Sequence, residues 1–244
     1  MPKEQFRAYM AQQPEMHFCF VNDGSTDSTK AVLDDFVAQF PQQAVALHLS
    51  PNGGKAEAVR KGMLYLLKEY PHYPWLGYFD ADLATPLNEI DRFFESIEKR
   101  PELRFVCGSR IKRMGATVNR NWLRHYLGRI FATFVSKILH LAVYDTQCGA
   151  KLIRPEQAKG IFQQEFLSPW LFDVELFARL IHQMGYKEVH EYVLEVPLET
   201  CIDKGNSRLK FSHMLKVPVD LLRIRQRYRK HIRAAIKKAG GKIG

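Results

Sequence analysis

Short apolar runs alternate with polar turns and helical patterns along the first 110 residues. Four such runs cover residues 17–21, 44–49, 75–79 and 104–107, and each is followed by a turn that contains glycine or aspartate. Strands that alternate with helices at this spacing are typical of a mainly parallel sheet with helices on both faces. The pattern therefore predicts an α/β fold.

The pattern changes after residue 115, where apolar residues recur every three or four positions. They predict one face of a long helix, and they are Leu123, Tyr126, Leu127, Ile130, Phe131, Phe134, Ile138 and Leu141. We predict a second helix over 173–184, strands over 189–196 and a last, basic helix over about 215–238. No internal repeat or low-complexity segment is evident.

The predicted strands end in residues that could carry chemistry. Ligands bind at the carboxyl edge of parallel sheets. Three of the four strand ends carry charged side chains, which are Asp23, then Asp80 with Asp82, then Arg110. The remaining end carries two glycines beside Lys55. We therefore expect the functional site at this edge.

Composition limits the class of protein. The chain has 244 residues, 46% of them apolar, which suits one compact domain or at most two small ones and argues against disorder. Four widely spaced cysteines form no C-x-x-C pair, so we expect neither a zinc knuckle nor a disulfide framework, and a reducing compartment fits best. No apolar run reaches the roughly 18 residues of a membrane-spanning helix, and we expect a chain that does not cross a membrane.

The basic excess lies at one end of the chain. The formal net charge is +10, and residues 204–244 hold 13 basic side chains with Asp220 as their one acid. Basic and apolar residues interleave there, as in an amphipathic helix on an anionic membrane leaflet. We therefore divide the chain into a domain over 1–211 and a membrane-surface segment over 212–244. Nucleic acid is the alternative anion, but no nucleic-acid-binding motif accompanies the charge.

Asp80 and Asp82 close a predicted strand, and residues two apart in extended backbone point to the same side. Two carboxylates can then converge on a divalent cation that also binds substrate phosphates. Alone, two acids at this spacing are more often solvated turn residues. Their position after the run 75–79, on the same edge as Asp23, favours the metal site.

Two glycine-containing turns complete the predicted edge. Asp23 precedes a helix start that has several candidate caps, so its carboxylate is left to accept hydrogen bonds from a base or a ribose. Gly53, Gly54 and Lys55 open the next helix, where backbone N–H groups and a lysine could hold phosphate. Each turn alone is weak evidence, because helix capping explains it equally well.

Four motifs stand in order in the first half of the chain. They are V-N-D-G-S-T-D at 21–27, G-G-K-x-x-A-V-R-x-G at 53–62, D-A-D at 80–82 and G-S-R at 108–110, and further segments follow at 145–152, 170–176 and 204–209. Together they resemble family 2 glycosyltransferases with the GT-A fold. The later segments resemble the polyprenyl-phosphate sugar transferases, and among these most closely the dolichyl-phosphate β-glucosyltransferases.

The resemblance implies a donor site. Asp23 would contact the base of a nucleotide sugar, with Gly54 and Lys55 beside its phosphates. Asp80 would bind the ribose or a metal, and Asp82 would bind the Mg²⁺ or Mn²⁺ held by the donor diphosphate.

The resemblance also implies an acceptor site. The positions that match acceptor-phosphate binding are Arg110, Arg124 and Arg129, and Lys204, Ser207 and Arg208 match a loop that closes over phosphates. Together with Asp80 and Asp82, Arg110 and Asp173 complete the expected catalytic residues.

A phosphate acceptor changes what catalysis requires. Residues 104–154 hold ten basic side chains against Asp145 alone, which suits two anionic reactants. A phosphate monoester has a second pKa near ~6, so it attacks without a general base, and one in-line displacement inverts the anomeric centre. A sugar hydroxyl would need a base, for which Asp173 and Glu175 are candidates. Positioning of basic side chains by these two acids is an equal alternative.

The sequence thus predicts inverting transfer of a sugar, with glucose from UDP-glucose as the best candidate, to a polyprenyl or dolichyl phosphate at the cytoplasmic face of a membrane. Mannose or another sugar, and a saccharide acceptor, are alternatives of the same class. An inactive, truncated homologue that serves as a membrane-surface binding module is the alternative of another class. The family's opening Val/Ile-rich strand has no counterpart in residues 1–16, so we expect a late start and a gap between the strands at 17–21 and 75–79.

Overall fold

The computed structural model describes residues 1–115, 117–119, 122–202 and 211–241, without the side chains of 118–119, 122–127 and 211–215. The elements in chain order are α1 (Lys3–Gln12), β1 (Phe18–Asp23), α2 (Thr29–Ala38), β2 (Ala44–Leu49), α3 (Lys55–Glu69), β3 (Leu76–Phe79), α4 (Glu89–Lys99), β4 (Phe105–Ser109), β5 (Thr117–Asn119), α5 (Trp122–Leu139), β6 (Ala150–Ile153), α6 (Pro155–Phe162), α7 (Phe172–Met184), α8 (Tyr186–Tyr192), β7 (Val193–Pro197), β8 (Thr200–Ile202) and α9 (Phe211–Lys238).

The described strands form three sheets. β1 pairs in parallel with β2, and β5 pairs in parallel with β8. The largest sheet has the order β3-β6-β4-β7, in which β4 and β7 are parallel while β6 runs antiparallel to both β3 and β4. The α/β prediction is confirmed, and the antiparallel strand β6 is the feature that the apolar pattern did not reveal.

β4 and β6 are the inner strands of the largest sheet. Every residue of both strands is buried, so their short continuous apolar runs follow from burial on two faces. Lys151 is the charged exception, since it lies in β6 with its side chain fully buried. A lysine in this position requires an anionic partner close by.

β1 and β3 belong to different sheets, and no ladder joins them among the described strands. Helix α3 packs against both strands. This arrangement is compatible with the gap expected between them, and the absence of a family strand from this chain stays a prediction.

The strand predicted over 189–196 is wrong over its first half, which forms helix α8. Gly185, at a φ of +100°, ends α7 and precedes the first residue of α8. Val189 is the one buried residue of α8, so its apolar side chain marks a helix face and not the alternation of a strand. The strand proper begins at Val193.

Helix α9 contributes to the main core. Its inward residues Leu221, Ile224, Ile232 and Ile236 are buried with α5, α7 and α8. The boundary predicted at 211 falls at the start of this helix, but the segment beyond it packs onto the rest of the chain. None of the helices in the described ranges combines the length and the apolar character that spanning a bilayer requires.

Candidate active site

Asp80 and Lys55 form the centre of the site. Asp80 directly follows β3, and its backbone N–H donates to the carbonyl of Gly149 at 2.9 Å. Lys55 is the first residue of α3, and its Nζ lies 2.6 Å from Oδ1 of Asp80. A β-carbon at Gly149 would collide with the Asp80 carboxylate, so any other residue there would displace this carboxylate. The strand end and the helix start therefore meet as predicted.

Opposing influences set the charge of Lys55. Burial lowers the pKa of its ammonium, but the carboxylates of Asp80 and Asp173 raise that pKa by more, so the net pKa lies above its usual value. About a third of the side chain remains exposed. Lys55 is thus a fixed cation that a ligand can still reach.

Asp173 binds two neighbours inside the protein. Its Oδ1 accepts hydrogen bonds from the hydroxyl of Tyr78 at 2.5 Å and from Nζ of Lys151 at 2.7 Å. Lys151 also donates to the carbonyl of Cys148. Burial and the Asp173 carboxylate raise the pKa of Tyr78 well above its usual value. This geometry favours the positioning alternative for Asp173 over the general base, and its catalytic role stays a prediction.

Glu175, the other candidate base, is fully buried. Its Oε1 accepts hydrogen bonds from Arg179 and from the hydroxyl of Tyr228, both at 2.8 Å. Its Oε2 accepts the backbone N–H of Leu167 at 2.6 Å. Glu175 therefore fastens α7 to α9 and to the preceding loop.

Asp23 holds the glycine turn in place. Its two carboxylate oxygens accept the backbone N–H groups of Gly53 at 2.9 Å and Gly54 at 2.8 Å. Gly54 has a φ of +82° and lies next to the first residue of α3. The N–H groups of Gly53 and Gly54 are thus engaged by a carboxylate, and the ammonium of Lys55 is the cation next to this turn.

Arg110 stands after β4 and is clamped by Asp145. Its Nε and Nη2 donate to the two carboxylate oxygens of Asp145 at 2.6 and 2.8 Å. Burial lowers the pKa of Arg110, but Asp145 outweighs it and the net pKa is raised. Glu195 in turn accepts the backbone N–H of Asp145 at 2.6 Å. β3 and β4 both run antiparallel to β6, so Asp80 after β3 and Arg110 after β4 lie at the same edge of the sheet, where Lys55 pairs with Asp80.

Asp82 lies at the exposed rim of the site. Its Oδ1 accepts the backbone N–H of Ala84 at 2.9 Å, and the intervening Leu83 has a φ of +52°. Among the described residues, no group of three or more His, Cys, Asp or Glu side chains could hold a metal ion. The acids at 80 and 82 therefore fit a Mg²⁺ or Mn²⁺ ion only if the substrate supplies further oxygen ligands, as Mg²⁺ sites with phosphates commonly do.

The structure describes only part of the other predicted acceptor residues. Arg129 is exposed on α5. The side chain of Arg124 lies outside the described residues, and so do Lys204, Ser207 and Arg208. Their predicted roles stay predictions.

Comparison with known proteins identifies the family. The domain called Glycosyl transferase family 2 matches residues 4–162, which is more than half of the chain. The chain belongs to glycosyl transferase family 2.

Curated relatives within this family narrow the similarity. The chain is 34% identical over 208 residues to a dolichyl-phosphate beta-glucosyltransferase, ALG5C, of Trichomonas vaginalis, covering 84% of this chain and 58% of the relative. It is 31% identical over 214 residues to the dolichyl-phosphate beta-glucosyltransferase of Dictyostelium discoideum, covering 85% and 62%. The chain thus spans about three fifths of the length of these relatives.

A solved structure of the same fold is glucosyl-3-phosphoglycerate synthase from Mycobacterium tuberculosis, determined with Mn²⁺, UDP and phosphoglyceric acid. The TM-score is 0.61 at 13% identity, over 91% of this chain and 73% of that one. The GT-A fold expected from the motifs is confirmed.

Some residues of this family 2 site were not singled out from the sequence. Tyr78, Lys151 and Gly149 lie in or beside β3 and β6 and touch the predicted acids. Asp145 gave the one usable signal, because it is the sole acid among the ten basic residues of 104–154. A lone acid in such a segment is a natural partner for one of its arginines.

Proposed function

We propose that the chain transfers glucose from UDP-glucose to a polyprenyl or dolichyl phosphate with inversion at the anomeric carbon. The observation that carries this proposal is the Lys55–Asp80 pair beside the clamped Arg110, which puts two cations and a carboxylate at one edge of the sheet. The names of the curated relatives support the same donor sugar and acceptor class.

On the donor side, Lys55 would bind the diphosphate and Asp80 the ribose or the metal. Lys55 keeps its charge through Asp80 and Asp173, and its position is fixed by the turn that Asp23 holds. A charge-assisted contact to a diphosphate oxygen is about twice as strong as a neutral one. Asp23, whose two carboxylate oxygens also hold the turn, would contact the base.

Asp80 and Asp82 would hold Mg²⁺ or Mn²⁺ together with the diphosphate. Such an ion, when bound, neutralises the charge that develops on the departing diphosphate. The carboxylates of the chain supply hard oxygen ligands that suit these ions. Lys55 and Arg110 would add positive charge beside the same leaving group.

On the acceptor side, Arg110 would receive the lipid phosphate, with Arg124, Arg129 and the 204–208 segment as further contacts. One bond forms between a phosphate oxygen and the anomeric carbon, and one breaks between that carbon and the diphosphate. No proton has to move, because the attacking phosphate is already a dianion at neutral pH. The engaged state of Asp173 and Glu175 supports this base-free route.

Helix α9 would attach the protein to the cytoplasmic face of an anionic membrane. Its exposed basic residues are Lys216, Arg223, Arg225, Arg227, Arg229, Lys230, Arg233, Lys237 and Lys238. Val219 and Leu222 expose about half of their surface among these charges. Each basic residue near an anionic leaflet contributes about 1 kcal/mol to binding.

Transfer of radiolabelled sugar into organic-extractable lipid tests the reaction. Purified protein, Mn²⁺ and a short polyprenyl phosphate are incubated with UDP-glucose, with GDP-mannose or with neither. We expect label from UDP-glucose, a β-linked product by NMR, and loss of product in Asp82→Asn but not in Asp35→Asn, a matched change at an exposed site on α2. Label from GDP-mannose alone would overturn the choice of sugar, and no product from any donor despite a native circular dichroism spectrum would favour the inactive homologue.

Vesicle flotation tests the membrane segment. Removing α9 would expose core residues, so substitution is the better design. Arg229→Gln, Lys230→Gln and Arg233→Gln together should release the protein from phosphatidylserine vesicles. Lys30→Gln, Lys61→Gln and Lys68→Gln remove the same charge from exposed sites on α2 and α3 and should leave flotation intact. Equal flotation of both triple variants would refute this role of α9.

A further inference from the structure

Ser168 is a junction between α9 and the loop before α7. Its side chain is fully buried, and its hydroxyl donates to Oδ2 of Asp220 at 2.7 Å. The hydroxyl oxygen of Ser168 also accepts the backbone N–H groups of Trp170 at 3.3 Å and Leu171 at 3.1 Å. A hydroxyl has one donor and two acceptor positions, so all three are in use.

The loop that Ser168 organises forms a wall beside the glycine turn. The position that a β-carbon of Gly54 would take lies 3.6 Å from Cβ of Pro169. Leu171 stands immediately before the first residue of α7, and Asp173 in its first turn raises the pKa of Lys55. Displacement of 168–171 would therefore move the wall beside Gly54 and disturb the start of α7, where Asp173 is located.

α9 grips this region twice from its inner side. Asp220 binds Ser168, and Tyr228, eight residues further on, donates to Glu175, which holds the N–H of Leu167. Eight helical residues span about 12 Å, so the two grips hold the loop and the start of α7 at separate points. Asp220 is the one acid of the basic helix, which a plain membrane-binding helix would not need.

We propose that Asp220 is a positioning residue for the nucleotide-sugar pocket, acting through Ser168 on the wall beside Gly54 and Lys55. The inference rests on the proposed function, because it names a residue outside the pocket that sets the donor affinity of that same site. The charge of Asp220 strengthens its bond to the Ser168 hydroxyl, and the bond fixes the loop before substrate arrives.

Calorimetric titration of UDP in the presence of Mn²⁺ tests the inference without relying on turnover. Asp220→Ala should weaken UDP binding about tenfold, as expected when one charge-assisted hydrogen bond that orders a site is lost. Asp220→Asn keeps an acceptor for Ser168 and should retain most of the affinity. Asp35→Ala, an exposed acid on α2, is the control and should leave UDP affinity unchanged.

A double variant separates positioning from general destabilisation. If Asp220 acts through Ser168, then Ser168→Ala combined with Asp220→Ala should bind UDP no more weakly than the poorer single variant. With active protein, KM for the donor should rise while KM for the acceptor stays constant. Folded Asp220→Ala with wild-type UDP affinity, or a fully additive double variant, would overturn the inference. Absence of UDP binding by the unaltered chain would instead overturn the proposed function together with it.

Discussion

Nζ of Lys55 lies 2.6 Å from Oδ1 of Asp80, although the two residues come from the start of a helix and the end of a strand 25 positions apart. The pair places a cation against a partly exposed carboxylate. In the proposed donor site, Lys55 would turn toward the diphosphate and Asp80 toward a cation or a ribose.

Lys55→Met tests this arrangement. The change keeps the length of the side chain but removes its charge, so we expect the Kd for UDP to rise about tenfold or more. Isothermal titration with Mn²⁺ measures it. Lys61→Met, half exposed on the same helix, is the control. Unchanged affinity in Lys55→Met would contradict a phosphate contact.

Asp173→Ala should act mainly on stability. It leaves the fully buried ammonium of Lys151 without its carboxylate, and breaking such a pair costs about 3 kcal/mol or more of the free energy of unfolding. Urea unfolding measures the loss. Asp173→Asn, which keeps a hydrogen-bond acceptor, should lose less. A general base would behave differently: Asp173→Asn would then keep its stability and lose acceptor turnover with an altered pH profile.

Asp145→Asn should weaken binding of the acceptor and leave binding of the donor nearly unchanged. Arg110 would lose its two-point carboxylate contact and with it a fixed orientation. We expect KM for polyprenyl phosphate to rise about tenfold while KM for the nucleotide sugar changes little. Glu102→Gln disrupts an exposed arginine pair outside the site and serves as the comparison. A rise in donor KM alone would argue against the acceptor role of Arg110.

The buried thiols should make the protein sensitive to alkali. Burial raises the pKa of Cys148 from 9.0 to about 12, so the folded form favours the neutral thiol. This stabilisation is fully present below the unfolded pKa near 9 and is lost as the pH rises toward 12, by about 1.4 kcal/mol per pH unit and thiol. Urea unfolding between pH 8 and 10 measures the slope. Cys148→Ala should reduce it, and an unchanged slope would count against this cause.

The strand ends could be predicted because they follow from local patterns. Asp80 comes directly after a short apolar run, and Asp23 and Arg110 follow theirs within two or three residues. Strands β3 and β4 both run antiparallel to β6, so Asp80 and Arg110 lie at the same edge of that sheet, and the turn at 53–55 links Asp23 to Asp80. The sequence did not reveal what each side chain binds. Asp23 accepts the N–H groups of Gly53 and Gly54, contacts across 30 and 31 positions that no periodicity encodes.

The sequence pattern also does not reveal which charged residues pair inside the core. Lys151 reads as one more basic residue of a basic segment, yet it is buried against Asp173. A charge count weighs every lysine alike, whereas burial decides whether a lysine faces a ligand or an internal acid. The strand expected at 189–192 failed for a related reason, because a single inward Val189 satisfies both a helix and a strand over so short a stretch.

β6 has a consequence for insertions and deletions. β6 pairs with β3 on one side, where Ala150 lies opposite Phe79, and with β4 on the other, where Lys151 lies opposite Cys107. The register of this one short strand therefore fixes the alignment of both neighbouring strands. Upstream, Asp145 clamps Arg110, and Gly149 receives the N–H of Asp80. A one-residue indel between 145 and 151 would turn Lys151 to the opposite face and shift the clamp at the same time. Natural insertions and deletions in this protein should therefore be absent from residues 145–151 and occur in surface loops instead.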